Sequence, residues 1–204
     1  MPSSPISQII SDLQAGKMVI IFDDNPGREL EADLVIAASL VTPEAIRFMA
    51  HLGGGIICVT MPAARLDELC IPPMTDKPTD PLGTGWALSV DAIGTGTGIS
   101  AHDRATTIKK LTDPNSLAGD FIRPGHVFPL RAKAGGVLER PGHTESSVEL
   151  VRLAGFFPAA VICEIMLPDG HMARHADTIE YARKHKINFC QISEIIDFVK
   201  IVHT

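Results

Sequence analysis

The stretch MVIIFDDNPGRELEADLVIAASL (18–40) carries the reading of the fold. MVIIF is apolar throughout, the chain then turns abruptly acidic, and LVIAASL restores the apolar character, so two buried strands hold an acidic loop between them. On the N-terminal side, PISQIISDLQAGK places Ile6, Ile9, Ile10 and Leu13 at helical spacing and ends at Gly16, a residue suited to closing a helix. On the C-terminal side, Thr42-Pro43-Glu44 combines an N-cap, a first-turn proline and a first-turn acid, which starts a helix over about 42–52. IICVTM follows as a buried strand, residues 69–85 as a long surface loop rich in Pro, Thr and Asp, and WALSVD as a further strand. Ser100 with Asp103 signals a helix through about Leu111. Later, TESSVELVRLAG reads as a helix with Val148, Val151 and Leu153 facing inward, and AAVICEIM as a strand closed by an Asp169-Gly170 turn. A helix near 176–186, the strand INFCQI and a Ser193-capped helix to the C-terminus complete the series. Strands alternating with helices, with no linker between them, predict an α/β (α+β) fold: a single domain over 1–204, with a mainly parallel or mixed sheet flanked by helices.

Composition narrows the partners. With 45% hydrophobic residues in 204, the chain has ample material for a core. A formal net charge of −6 argues against a general nucleic-acid surface, which needs clustered Lys and Arg. Cys58, Cys70, Cys163 and Cys190 form no C-x-x-C and sit among apolar neighbours, which suits reduced core thiols and a cytoplasmic address. MPSSPISQII lacks the basic and apolar regions of a signal peptide, and no apolar run approaches the roughly 18 residues of a membrane span.

Three features carry chemistry. Asp23, Asp24, Glu29, Glu31 and Asp33 fall within eleven residues, with Arg28 among them. Alone, such charges are a solvated loop of little energetic consequence. At the C-terminal end of a buried strand, however, they lie where open α/β sheets bind ligands, and alternating acids can aim several oxygens at one Mg²⁺. The tetrapeptide R-P-G-H occurs twice, at 123–126 and 140–143. Pro-Gly by itself marks a turn, which leaves the Arg and the His to be explained. In the second copy a His stands at a helix start, where free backbone N–H groups face an anion, and Arg140 and Thr144 are suited to phosphate oxygens; Thr144 could also be the N-cap. Glu164 is a carboxylate inside the apolar AAVICEIM, a costly placement that favours acid/base work. GTGTG (94–98) lacks the last glycine of a nucleotide-binding fingerprint, and the apolar context of Cys58 favours a packed thiol over a nucleophile.

Arg28-Glu29-x-Glu31-x-Asp33, GGGIICV, TGISAHDRATTI, RPGHVFPLRAKAGGVLERPGHTE and AGFFPAAVICEIMLPDGHMAR, in that order, resemble 3,4-dihydroxy-2-butanone 4-phosphate synthase of riboflavin biosynthesis over nearly the whole chain. The resemblance implies that family's fold and the conversion of D-ribulose 5-phosphate to 3,4-dihydroxy-2-butanone 4-phosphate and formate. It also implies Mg²⁺ (or Mn²⁺) and a homodimer with sites at the subunit interface. By the same resemblance Glu29 and His143 hold the metal. Arg140, Pro141, Gly142 and Thr144 contact the substrate and its phosphate, joined by Thr97. His126 is a catalytic histidine offered across the interface, and Glu164 a catalytic carboxylate. Arg28, Glu31 and Asp33 belong to a loop that closes on the sugar, with Asp23 and Cys58 as further candidates. Departures from the family pattern are an apparent extra residue at Asn25-Pro26-Gly27, Ala32 in place of a glycine, and Trp86 and Leu88 in place of Phe and Thr. Some relatives carry a fused GTP cyclohydrolase II domain, and this chain's end at Thr204 implies a monofunctional form. A different Mg²⁺-dependent sugar-phosphate lyase or phosphatase, or a metabolite-binding homologue without turnover, would use the same phosphate cradle.

Overall fold

The computed structural model describes residues 2–202. Among them, seven strands form one sheet: β1 (Val19–Phe22), β2 (Ala32–Ala37), β3 (Cys58–Pro62), β4 (Val90–Ala92), β5 (Phe121–Ala132), β6 (Ala160–Glu164) and β7 (Phe189–Gln191), in the order β4-β5-β3-β6-β2-β1-β7. The helices are α1 (Ile6–Gln14), α2 (Pro43–Phe48), α3 (Ala63–Glu68), α4 (Ala101–Thr112), α5 (Gly136–Glu139), α6 (His143–Leu153), α7 (His175–His185) and α8 (Ile192–Val202). The sheet is mixed, as one of the two expectations has it, but antiparallel pairings outnumber parallel ones. Only β1–β7 and β3–β5 are parallel, against four antiparallel neighbours. The 23–31 connection is a hairpin loop, too short for a parallel crossover, which takes about a dozen residues or more.

Side chains of β1 and β2 alternate between two cores. Ile20, Phe22, Leu34 and Ile36 pack with Ile46, Leu66 and Ile108 beneath α2, α3 and α4. Val19, Ile21, Val35 and Ala37 pack with Ile9, Leu13, Leu150, Val151 and Ile195 of α1, α6 and α8. The sheet is thus covered on both faces, which is why these strands read as unbroken apolar runs. Each such fully buried aliphatic side chain contributes about 1.5–3 kcal/mol.

Two of the expected caps form: Thr42 Oγ1 accepts from Ala45 N at 3.2 Å, and Ser100 Oγ from Asp103 N at 3.0 Å. Other readings need correction. The 42–52 helix is α2 continued by a π-helical turn over Met49–Gly53. WALSVD contributes only its end to β4, while Trp86 makes an isolated bridge to Leu130. The first R-P-G-H makes no turn. It runs inside β5 through a cis Arg123–Pro124 bond, and Arg123 donates to the carbonyls of Phe121, Leu69 and Ala118. Ser193 lies within α8 and bonds Asp24, while Glu194 Oε2 takes the nearby Gln191 N–H at 2.8 Å. Residues 203–204 lie outside the described residues. α3 was not anticipated. Cys58, Cys163 and Cys190 are buried free thiols, whereas Cys70 is exposed, in the left-handed conformation just past α3. In α6 the inward face includes Leu150 and Val151, with Val148 and Leu153 only half-buried. The first turn of α6 is enclosed entirely, from His143 to Ser147, and that places a set of polar groups inside the protein.

Candidate active site

The β1–β2 hairpin loop folds over the ends of its own strands. Asp23, fully buried, accepts from Asn25 N at 3.0 Å and from Arg28 Nε at 3.0 Å, which fixes the start of the loop and the direction of the Arg28 guanidinium. Asp23 N donates to Glu31 O at 2.8 Å and closes the far side. Arg174, beside the start of α7, grips the loop from outside through the carbonyls of Glu29 and Leu30 and lies 3.7 Å from Glu31 Oε1. Leu30 sits at φ 54°, a conformation costly for a branched side chain and held by these contacts.

Opposite the loop stands the N-terminus of α6. Gly142, not Thr144, is its N-cap; Thr144 is the second helical residue and is buried. His143 presents Nδ1 to Glu29 Oε2 at 3.7 Å and Nε2 to Asp33 Oδ1 at 4.0 Å, ion-pair separations longer than hydrogen bonds. His143 Nε2 and Asp33 Oδ1 are both buried with no hydrogen-bond partner, an arrangement that a native interior tolerates where a ligand completes it. Burial alone would pull the His143 pKa down, but Asp33, Glu29 and Asp23 outweigh it and lift the value to about 9. Burial pushes Asp33 up to about 7, against the pull of His143 and with help from Glu164, Glu29 and Glu31. The His143 ring holds Glu29 below the ordinary glutamate value, while burial and the Glu29 charge raise Glu31.

Arg140 is pinned from three directions. Nη1 donates to Glu145 Oε2 at 2.7 Å, Nε to Leu82 O at 3.1 Å and Nη2 to Thr84 Oγ1 at 3.0 Å, which engages three of its five N–H groups in a side chain that lines the pocket. A Cβ on Gly142 would lie 2.6 Å from Arg140 Nη1 and 2.8 Å from Arg28 Nη2, so glycine is what lets the two guanidinium groups converge over the helix start. Pro141 links this arginine to the helix. The resulting pocket is partly open to solvent and is lined by Arg28, Glu29, Glu31, Asp33, Cys58, Arg140, His143, Thr144 and Glu164, all anticipated, together with Thr84, Trp86, Leu130 and Ile162.

Glu164 corrects the sequence reading. It ends β6, directly across the ladder from Asp33, and is half-buried, with Oε2 accepting from Ile56 N at 2.8 Å. Of this facing pair, Asp33 is the deeply buried carboxyl. Gly55 packs on Glu164 so closely that a Cβ would lie 2.3 Å from Oε2, which explains part of the GGGIICV motif. Burial first, then Glu164 and Asp33, push the Cys58 thiol well up, so it stays protonated as part of the wall. Thr97 and His126 do not join the pocket. Thr97 is exposed on the 94–98 loop, and His126 lies on β5 with its ring against Asp91. Glu145, Thr84 and Arg174 were missed as site residues. Glu145 lay inside the quoted motif, but nothing local pairs Arg140 with Thr84, 56 positions away.

Asp23, Glu29 and His143 each offer one ligand atom, all within 4.8 Å of one another. Glu29 Oε2 and His143 Nδ1, 3.7 Å apart, are close enough for both to reach one ion. With carboxylates, imidazole and an unpartnered ring nitrogen, the residues fit a divalent cation.

A sequence profile described as 3,4-dihydroxy-2-butanone 4-phosphate synthase matches residues 7–198. The riboflavin biosynthesis protein RibBA of Aquifex aeolicus (strain VF5) is 54% identical over 95% of this chain and 48% of its own length. A 3,4-dihydroxy-2-butanone 4-phosphate synthase of Neisseria meningitidis serogroup B is 46% identical over 96% of this chain and 54% of its own length. The chain thus spans about half the length of the curated relatives it matches. A crystal structure of 3,4-dihydroxy-2-butanone 4-phosphate synthase in complex with two magnesium ions superposes with a TM-score of 0.94 at 41% identity, covering 98% of both chains. Because the match spans residues 7–198, which include the hairpin loop, α6 and Glu164, the chain belongs to the 3,4-dihydroxy-2-butanone 4-phosphate synthase family.

Proposed function

We propose that this chain converts D-ribulose 5-phosphate to 3,4-dihydroxy-2-butanone 4-phosphate and formate, as a lyase of riboflavin biosynthesis that uses Mg²⁺ or Mn²⁺. The observation that carries the reading is the facing of Glu29 and Asp33 on His143 beside a converging Arg28–Arg140 pair, in one polar pocket. A divalent ion held by Glu29 and His143, with Asp23 adjoining, would polarise substrate oxygens as a Lewis acid. The chain's own groups do the rest. Arg140 and Thr144, at the α6 N-terminus, bind the phosphate and fix the distance to the reacting end. Asp33, Glu31 and Glu164 are the pocket carboxyls placed to take and return protons. The two products together carry the atoms of the substrate, so the site needs acid and base groups and no redox partner.

His126 and Thr97 are proposed to complete the pocket of a second copy. Around them Ile93, Ile99 and Ile122 are 62%, 51% and 53% exposed, an apolar rim that a homodimer would cover. No helix among the described residues is long and apolar enough to cross a membrane, and the three buried free thiols support a reducing, cytoplasmic setting. The test is incubation with ribulose 5-phosphate, with and without EDTA, followed by NMR. Formate that disappears with EDTA supports the reading. Inorganic phosphate, or aldol cleavage products without formate, would replace it by another sugar-phosphate enzyme, and binding without turnover would leave a metabolite-binding homologue.

A further inference from the structure

The β4–β5 edge holds a second polar cluster that the pocket does not use. His126 N donates to Asp91 Oδ1 at 2.9 Å, and the His126 ring Nδ1 stands 2.7 Å from Asp91 Oδ2. Asp91 is only 7% exposed, at the point where the β4–β5 register shifts. The backbone of GTGTG closes over the same carboxylate. A Cβ on Gly98, at φ +83°, would lie 2.1 Å from Asp91 Oδ2, so this position admits glycine and little else. One carboxylate thereby holds the His126 ring and packs against the loop that carries Thr97.

We propose that Asp91 is the positioning residue for His126, holding the imidazole in the tautomer that carries its proton on Nδ1 and leaves Nε2 bare as the working base; this rests on reading His126 as catalytic. A carboxylate accepts and never donates, so the ring nitrogen facing it must bear the hydrogen. Two acceptors are required, one for the His126 main-chain N–H and one for the ring. An amide has one. In Asp91→Asn the side-chain oxygen stays on the main-chain N–H and the NH₂ group turns to Nδ1, which drives the proton to Nε2.

The tautomer is read directly from ¹⁵N–¹H correlations of histidine-labelled protein, with His126→Gln assigning the signal, while kcat and KM are measured by formate release. The expected result is an Nδ1–H ring in the wild type, an Nε2–H ring in Asp91→Asn, and a kcat lower by about 10²–10⁴-fold. KM should stay within about threefold, and Asp91→Glu should recover part of the rate. A wild-type ring protonated on Nε2 overturns the proposal without any variant having to fold. Wild-type turnover in Asp91→Asn, with His126→Gln inactive, overturns it while leaving His126 catalytic. Full turnover in His126→Gln removes the catalytic reading of His126 and the proposal with it.

Discussion

Replacing Glu145 by Gln tests how the phosphate end of the pocket is built. The Glu145 carboxylate is 1% exposed and has two fixed partners, Arg140 Nη1 at 2.7 Å and Lys133 N at 3.1 Å. The amide has the same shape but one acceptor. It can serve Lys133 N only by turning its NH₂ group on Arg140, donor against donor. Removing one member of a buried ion pair costs about 3–5 kcal/mol, and the lower end applies because Arg140 keeps Leu82 O and Thr84 Oγ1. With a urea m-value of about 3 kcal/mol per M, the unfolding midpoint should drop by about 1 M. An unanchored Arg140 also weakens phosphate binding by about one charge-assisted hydrogen bond, so KM for ribulose 5-phosphate should rise about tenfold or more. A double-mutant cycle with Arg140→Ala should return a coupling above about 1 kcal/mol. A midpoint within about 0.2 M of wild type together with an unchanged KM would refute the reasoning.

Metal affinity should depend on pH with a definite sign. His143 must be neutral to bind a cation and is held at about 9, so Mg²⁺ affinity by calorimetry should strengthen about tenfold per pH unit between 7 and 9, then level off. Flat affinity over that range would contradict it. Without metal the trend reverses. His143 stabilises the fold below its unfolded value of about 6.5 and Asp33 below about 4, and those contributions are lost as pH rises through about 9 and about 7, so metal-free protein should melt progressively lower toward alkaline pH. Gly142→Ala should displace both guanidinium groups and raise KM about tenfold while costing under about 1 kcal/mol in urea; an unchanged KM would show that the arginines do not act there. Mixed His126→Ala and Glu29→Gln subunits should recover part of the activity each lacks alone, and a verified heterodimer without recovery would count against shared sites. Native protein should react with one equivalent of alkylating reagent, at exposed Cys70, and Cys70→Ser should abolish the fast phase.

What the sequence determined by itself is what short-range forces control. Apolar runs in β1, β2 and β6 announce strands covered on both faces, and Thr42 and Ser100 announce helix starts, because a side chain and a backbone N–H three residues on are all a cap requires. The acidic loop and the second R-P-G-H were legible as a site for the same reason, since each gathers its functional groups within a few residues. Only the tertiary structure decided which acid is buried. Asp33 and Glu164 stand opposite each other on neighbouring strands, yet Asp33 is enclosed and Glu164 is half-open, a difference set by everything packed around them. It also separated the two tetrapeptides, giving Arg123 to three backbone carbonyls and Arg140 to Glu145 and Thr84. Burial and ion pairing sum over neighbours brought together from distant parts of the chain, and a local pattern carries no record of those neighbours.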